Sequence, residues 1–154
     1  MRSSKALWAA CAIAAAICAG DSAARADSTP APYSHLPTPG DVVHLDGSLG
    51  GATTAWAYAD QFWLEEYLKV TIDAAASNEQ YSAATEALDR ISSHVTPVPN
   101  GVKAYVETLQ PFSYKGRLDV EVRVSVQEGP LKGRELWTTC AELVDPAGHR
   151  YLRM

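Results

Sequence analysis

Apolar and polar positions recur along this chain with two different periods, and the change of period divides it. From about Thr54, the residues Trp56, Ala59, Trp63, Tyr67, Val70 and Ala74 follow one another at steps of three and four, which places them on one face of a helix. Leu64 and Leu68 widen that face. Glu65, Lys69 and Asp73 lie opposite, with Glu65 and Lys69 spaced as a helix-surface ion pair. Tyr58 and Phe62 fall among the charges, so either the helix begins further along or two aromatics stand exposed for a partner. After Ala76, Ser77 and Gln80 have capping-box spacing, and Tyr81, Ala84, Leu88 and Ile91 form the stripe of a second helix. The two stripes predict a helical hairpin over 54–95, ended by Pro97, Pro99 and Gly101.

Beyond that point the period becomes two. Val102, Ala104 and Val106 alternate with Lys103, Tyr105 and Glu107, and Val120, Val122, Val124 and Val126 alternate with Glu121, Arg123 and Ser125. Such alternation marks strands with one buried and one solvated face. Gly129 to Gly133 turns the chain, and Arg134 to Thr139 returns antiparallel. Gln110 to Gly116 reads as a loop carrying Phe112 and Tyr114. Upstream, Asp41 to Ser48 reads as a short strand closed by an Asp46-Gly47 turn. No internal repeat is present.

The extreme N-terminus has a different character. A basic start (Arg2, Lys5), an apolar run from Ala6 to Gly20 and a small-x-small exit at Ala24-Arg25-Ala26 predict a secretory signal peptide over 1–26, cleaved after Ala26. Asp21 ends the apolar run too early for a membrane span. Ile17 stands where a lipid-anchored Cys18 would need a small residue. Pro30, Pro32, Pro37 and Pro39 make 27–40 a stiff, exposed linker. The expected periplasmic or secreted domain is then 41–154.

Export changes the charge and the cysteine count. Of 13 basic and 18 acidic residues, three and one fall within 1–26, leaving 10 against 17, a formal charge of −7. No basic cluster suits nucleic acid. Acidic residues dominate from Ala57 to Val95, whereas signs balance beyond Thr96. Cys11 and Cys18 leave with the signal peptide, so Cys140 remains alone and no intrachain disulfide can form.

The runs VPNGVKAYVETL and DVEVRVSVQEGPLKGRELWTTCAELV, within Val98 to Val144, resemble a bacterial SH3-like barrel. In that family a Gly-opened strand, a long loop, a Val-alternating strand and a hairpin arm bearing a Trp lead into a 3-10 turn. The resemblance implies an α+β fold: a helical hairpin (54–95) followed by a small SH3-like antiparallel β-barrel (98–154). Peptide-binding members carry Gly before the Trp, then Pro and Tyr; this chain has Leu136, Thr139 and Leu143 instead. The aromatic surface left to grip a ligand is Tyr105, Phe112, Tyr114, Trp137 and Tyr151. Leu136 and Trp137 point to opposite faces of their strand, so one of them lies outside the core.

Other chemistry is thinly supported. His35, His44, His94 and His149 lack the close spacing of a zinc site, and no cofactor motif is present. Asp46 stands where a nucleophile elbow around Ser48 would need Gly. A hydrolase built on Cys140 would need His149 or another His beside it; a lone Cys between Thr139 and Ala141 reads as a small buried hydrophobe. Two readings follow. One is a non-catalytic module that binds cell-wall glycan or peptide through its β half. The other is an inhibitor- or immunity-type protein that presents Tyr58, Phe62, Glu65 and Glu66 to a basic exported partner.

Overall fold

A tight turn organises the longest strands. In the computed structural model, which describes residues 36–75 and 78–151, Lys115 and Gly116 both adopt left-handed φ angles, 48° and 76°. That geometry matches the twist of the strands they join. It couples β4 (Val102–Tyr114) to β5 (Arg117–Val126). With β1 (Val42–Leu45), β2 (Thr54–Tyr58), β3 (Val95–Pro99), β6 (Glu135–Thr139) and β7 (Leu143–Val144), they form one antiparallel sheet in the order β3-β2-β6-β5-β4-β1-β7. Two helices, α1 (Gln61–Ala74) and α2 (Asn78–Ser92), lie in the chain between β2 and β3. The fold is thus mixed α and β, with the helices inserted into the sheet rather than preceding it. The expected signal peptide, the linker as far as residue 35, and Ser77 of the expected capping box lie outside the described residues.

The sheet curls into a half-barrel, as the β6–β7 connection requires. Only the 3-10 turn Cys140–Glu142 joins these strands, although β5, β4 and β1 stand between them. In a flat sheet they would be about 19 Å apart. Three residues rising about 2 Å each cannot reach that far. Curling encloses the alternating residues Val43, Leu45, Ala104, Val106, Val122, Val124, Val126 and Leu136, all 2% exposed or less. Leu36 packs against this core and Gly40 donates to the Val106 carbonyl, so the expected exposed linker ends short of Gly40. At the β1–β2 connection, a Cβ on Gly47 would sit 2.1 Å from the Thr54 carbonyl oxygen, a space only glycine fits.

Three expectations need correction. Thr54–Tyr58 is a strand, not the start of a helix: Ala55 and Ala57 enter the barrel core while Trp56 and Tyr58 face outward. Alanine favours helices, but pairing with β3 and β6 outweighs that preference. α1 begins only after Asp60, whose carboxylate accepts from Phe62 N at 2.9 Å as the N-cap. Val95–Pro99 likewise forms a strand. Asn100 N donates to Thr53 O, so by alternation Pro97 and Pro99 turn their donor-less nitrogens to the sheet's free edge, where proline does no harm to the ladder. Finally, 110–114 is not a loop but the end of β4.

A β-bulge in β4 decides which side chains face the helices. Val106 pairs with Val124, but Thr108 pairs with Arg123, leaving Glu107 as the extra residue. The phase of the strand therefore flips: before the bulge even-numbered residues point into the barrel, and after it they point out. Phe112 and Tyr114 are thereby delivered to the outer face. There they join Tyr58, Leu64, Leu68 and Ile91, with Trp63, Tyr67, Val70 and Trp137 alongside, in a second core between helices and sheet. Tyr67 of α1 lies between the rings of Trp56 and Tyr58, at 5.8 and 6.1 Å.

Candidate functional site

The outer face of β4, β5 and β6 has a covered part and an open part. Glu121, Arg123 and Ser125 of β5 all point to it, because Val120, Val122, Val124 and Val126 point inward. Arg123 pairs across the ladder with Trp137 of β6, and Ser125 with Tyr105 of β4. α1 covers the Glu121 end. The Ser125 end is open: Tyr105 is 37% exposed, with the Lys103 ammonium 5.6 Å from its ring centre. One rung along, the Arg123 guanidinium lies 5.8 Å from the Trp137 ring centre, and its NH1 reaches Glu135 at 3.5 Å. Two cation–aromatic pairs thus stand side by side on neighbouring rungs, each worth about 0.5–1 kcal/mol when exposed.

Leu136 and Trp137 resolve in a way that neither simple alternative anticipates. Leu136 is fully buried in the barrel, which turns Trp137 outward, yet Trp137 is half-buried against the second core. Of the other expected ligand contacts, Phe112 is buried in that core and Tyr151 in the barrel core. Tyr114 is half-buried, its hydroxyl donating to Asp73 Oδ2 at 3.1 Å, while Lys115 Nζ donates to Asp73 Oδ1 at 2.7 Å. Of the five, Tyr105 is exposed, Tyr114 and Trp137 are half-buried, and Tyr105 and Trp137 flank β5 on its outer face. Arg123 could not be singled out from the sequence; its place between Thr108 of β4 and Trp137 of β6 depends on the register of three strands.

The acidic helix face is also redistributed. Tyr58 is 1% exposed, its hydroxyl has no hydrogen-bond partner among the described residues, and burial with neighbouring Tyr67 and Glu142 raises its pKa far above the usual range. Phe62 remains 53% exposed, edge-on to Trp63, which in turn stacks on His94. Glu65 and Glu66 share Lys69, at 3.8 and 2.9 Å.

Elsewhere the polar groups serve the fold. Cys140 is buried, and burial together with the Asp119 carboxylate pushes its thiol up to about 12, so the thiolate that a nucleophile needs is scarce. A shallow depression of about 650 Å³ at the β1–β7 end is lined by His44, Asp46, Asn100 and Asp145 among others. Arg150 fills the polar needs around it, donating to the carbonyls of Asp46 and Ala141, to Asp46 Oδ2 and to Ser48 Oγ. Burial would raise the Asp46 pKa, but hydrogen bonds from Ser48 and the Arg150 charge outweigh it and hold the carboxyl below its ordinary value. Among the described residues, no group of three or more His, Cys, Asp or Glu side chains is placed to hold a metal ion, and no helix is long and apolar enough to cross a membrane.

Comparison of the chain with protein-family models, with curated proteins and with solved structures finds no match.

Proposed function

We propose that the protein is an exported, non-catalytic binding module that holds cell-wall glycan or peptide on the open outer face of its β half. The observation that carries this reading is the pair of cation–aromatic contacts: Lys103 on Tyr105, on the open part of the face, and Arg123 on Trp137, half-buried where that part meets the helices. Aromatic rings offer a stacking surface to a sugar or an extended peptide, and the cations beside them suit the carboxylates of wall peptides. The order β7-β1-β4-β5-β6, with its 3-10 turn between β6 and β7, supports an SH3-like barrel whose first inter-strand connection has been filled by β2, the helices and β3. Such a fold hosts many tasks, so the site rather than the fold carries the proposal. Cosedimentation of the purified protein with isolated cell-wall sacculi tests it. Pelleting is expected, with loss in Tyr105→Ala and Arg123→Ala forms that remain folded; pelleting that survives both substitutions removes this face from the reading.

A second reading rests on Phe62, exposed beside Glu65 and Glu66 at the start of α1. An acidic, aromatic-tipped helix suits a basic exported protein, as an inhibitor or immunity protein would require. Association with such a partner should slow steeply with added salt. A salt-independent rate would remove it.

A further inference from the structure

The contact between α1 and the sheet contains a carboxyl group in an unusual setting. Glu121 is 1% exposed, in the middle of β5 and beneath the first turn of α1. Its Oε2 accepts from Gln61 Nε2 at 2.7 Å, and the same amide also meets Gln110 Oε1 of β4. Its Oε1 has no hydrogen-bond partner among the described residues. A buried carboxylate is ordinarily stabilised by a basic partner or by several donors; this one has a single amide.

The groups around Glu121 do not supply the missing charge. From α1 come Glu65 and Lys69, and Lys69 is held by Glu65 and Glu66. From β5 itself come Asp119, on the same face, and Arg123, whose guanidinium lies at Glu135 and Trp137 and whose buried Nε has no partner among the described residues. Across the ladder, β4 and β6 present the uncharged Gln110 and Thr139, and on this face β2 adds the Tyr58 hydroxyl. The first-turn amides of α1 are served by Asp60, which accepts from Phe62 N. Burial first, then the Glu65 and Asp119 carboxylates, raise the pKa of Glu121 to about 7, against the opposing effects of Gln61 and Lys69. With the helix seated, the proton is therefore held to about pH 7, far above the ordinary carboxylate range.

We propose that Glu121 is a proton-operated latch: protonated, it lets the first turns of α1 lie on the sheet, and ionised, it drives them off and uncovers the aromatic residues beneath. The Oε1 that lacks a partner is the natural seat of the proton, leaving Oε2 to accept from Gln61. Release of that proton to solvent leaves a buried charge with one amide donor and two carboxylates nearby, and the least costly relief is to admit water by parting helix and sheet. Parting breaks the bond from Gln61, the one donor among the described residues that joins α1 to this carboxyl, and water must replace it. The segment beneath includes Phe112 and Trp137, so opening enlarges the aromatic outer face. The latch acts whatever ligand that face takes.

Amide hydrogen exchange of the purified protein between pH 5 and 8.5, corrected for intrinsic chemical exchange, tests the latch. Protection of residues 61–68 should fall about tenfold per pH unit as pH rises, level off above about pH 7, and stay below that of β4 and β5 at every pH, since the helix opens without the sheet. In Glu121→Gln, which keeps the shape of the protonated acid, protection of residues 61–68 should not change with pH. Equal pH dependence in the two proteins overturns the latch. So does wild-type protection of residues 61–68 as high as that of β4 and β5, which would mean that the helix opens only with the whole fold, a readout that stands even if the variant folds poorly.

Discussion

Leu136 and Trp137 are neighbours in β6 yet serve two different cores, one inside the barrel and the other between sheet and helices. The strand is the shared wall, and the two residues report on its two sides. Leu136→Ala should cost about 3 kcal/mol and weaken the whole fold. Trp137→Ala, from a half-buried position, should cost about 2 kcal/mol and act mainly on the seating of α1. Urea titrations followed by far-ultraviolet dichroism would separate them: a common loss for Leu136, and an early loss of helical signal for Trp137.

The Gly47 position allows a sharper test of the β1–β2 connection. Its Cβ would meet the Thr54 carbonyl oxygen at 2.1 Å, and backbone cannot retreat there without breaking the bond from Gly47 N to Asn100 Oδ1. Gly47→Ala should lower stability by about 2 kcal/mol or more, read as a fall in the urea midpoint. A change within error would mean that this connection adjusts freely.

Arg150 ties the segment after β7 to the β1–β2 connection through three hydrogen bonds and to the Ala141 carbonyl through a fourth. Arg150→Ala leaves the Asp46 and Ala141 carbonyls short of a donor and should cost about 2 kcal/mol. Arg150→Lys should recover only part of it, because a single ammonium cannot reproduce the planar fork. Thermal melting of the three proteins would rank them.

The thiol of Cys140 should be silent. Buried, and with its pKa pushed up to about 12, it should resist a disulfide reagent at pH 8 in the native protein and react at once in denaturant. Rapid native reaction would reopen a catalytic role.

Stability should also depend on pH with a definite sign. Glu121 has its pKa raised from 4.5 to about 7 in the fold, so its contribution is intact below about pH 4.5 and is lost as pH rises through 7. The loss amounts to at most about 3 kcal/mol. Asp46, with a lowered pKa, acts in the opposite sense: its contribution is present above the ordinary carboxylate range and disappears as pH falls below it. Urea midpoints measured from pH 3 to 9 should therefore show a maximum on the acid side of neutrality, and Glu121→Gln should flatten the alkaline limb.

Strands with unbroken alternation were legible in the sequence, and those that depend on distant partners were not. Val120 to Val126 announce β5 because each inward residue is a large apolar one. In β2 the inward residues are Ala55 and Ala57, too small to mark a strand against the helical spacing of the aromatics around them. Phe112 and Tyr114 look like loop residues until the bulge at Glu107 turns them toward α1, and a bulge depends on the pairing of two strands. Charge was legible only in part. The Glu65–Lys69 pair follows from helical spacing, whereas the meeting of Gln61 with Glu121 joins residues 60 apart in sequence. Trp137 stood out as a residue type, but its environment is set by the helices inserted upstream.

The most direct measurement is a titration of the isotope-labelled protein with soluble cell-wall fragments, followed by backbone and indole chemical shifts. A ligand held on the outer face should give saturable shifts at Lys103, Tyr105, Arg123 and Ser125 and at the Trp137 indole, with little change around Phe62. Shifts centred on Phe62 and the acidic face of α1, or none at any residue, would contradict it.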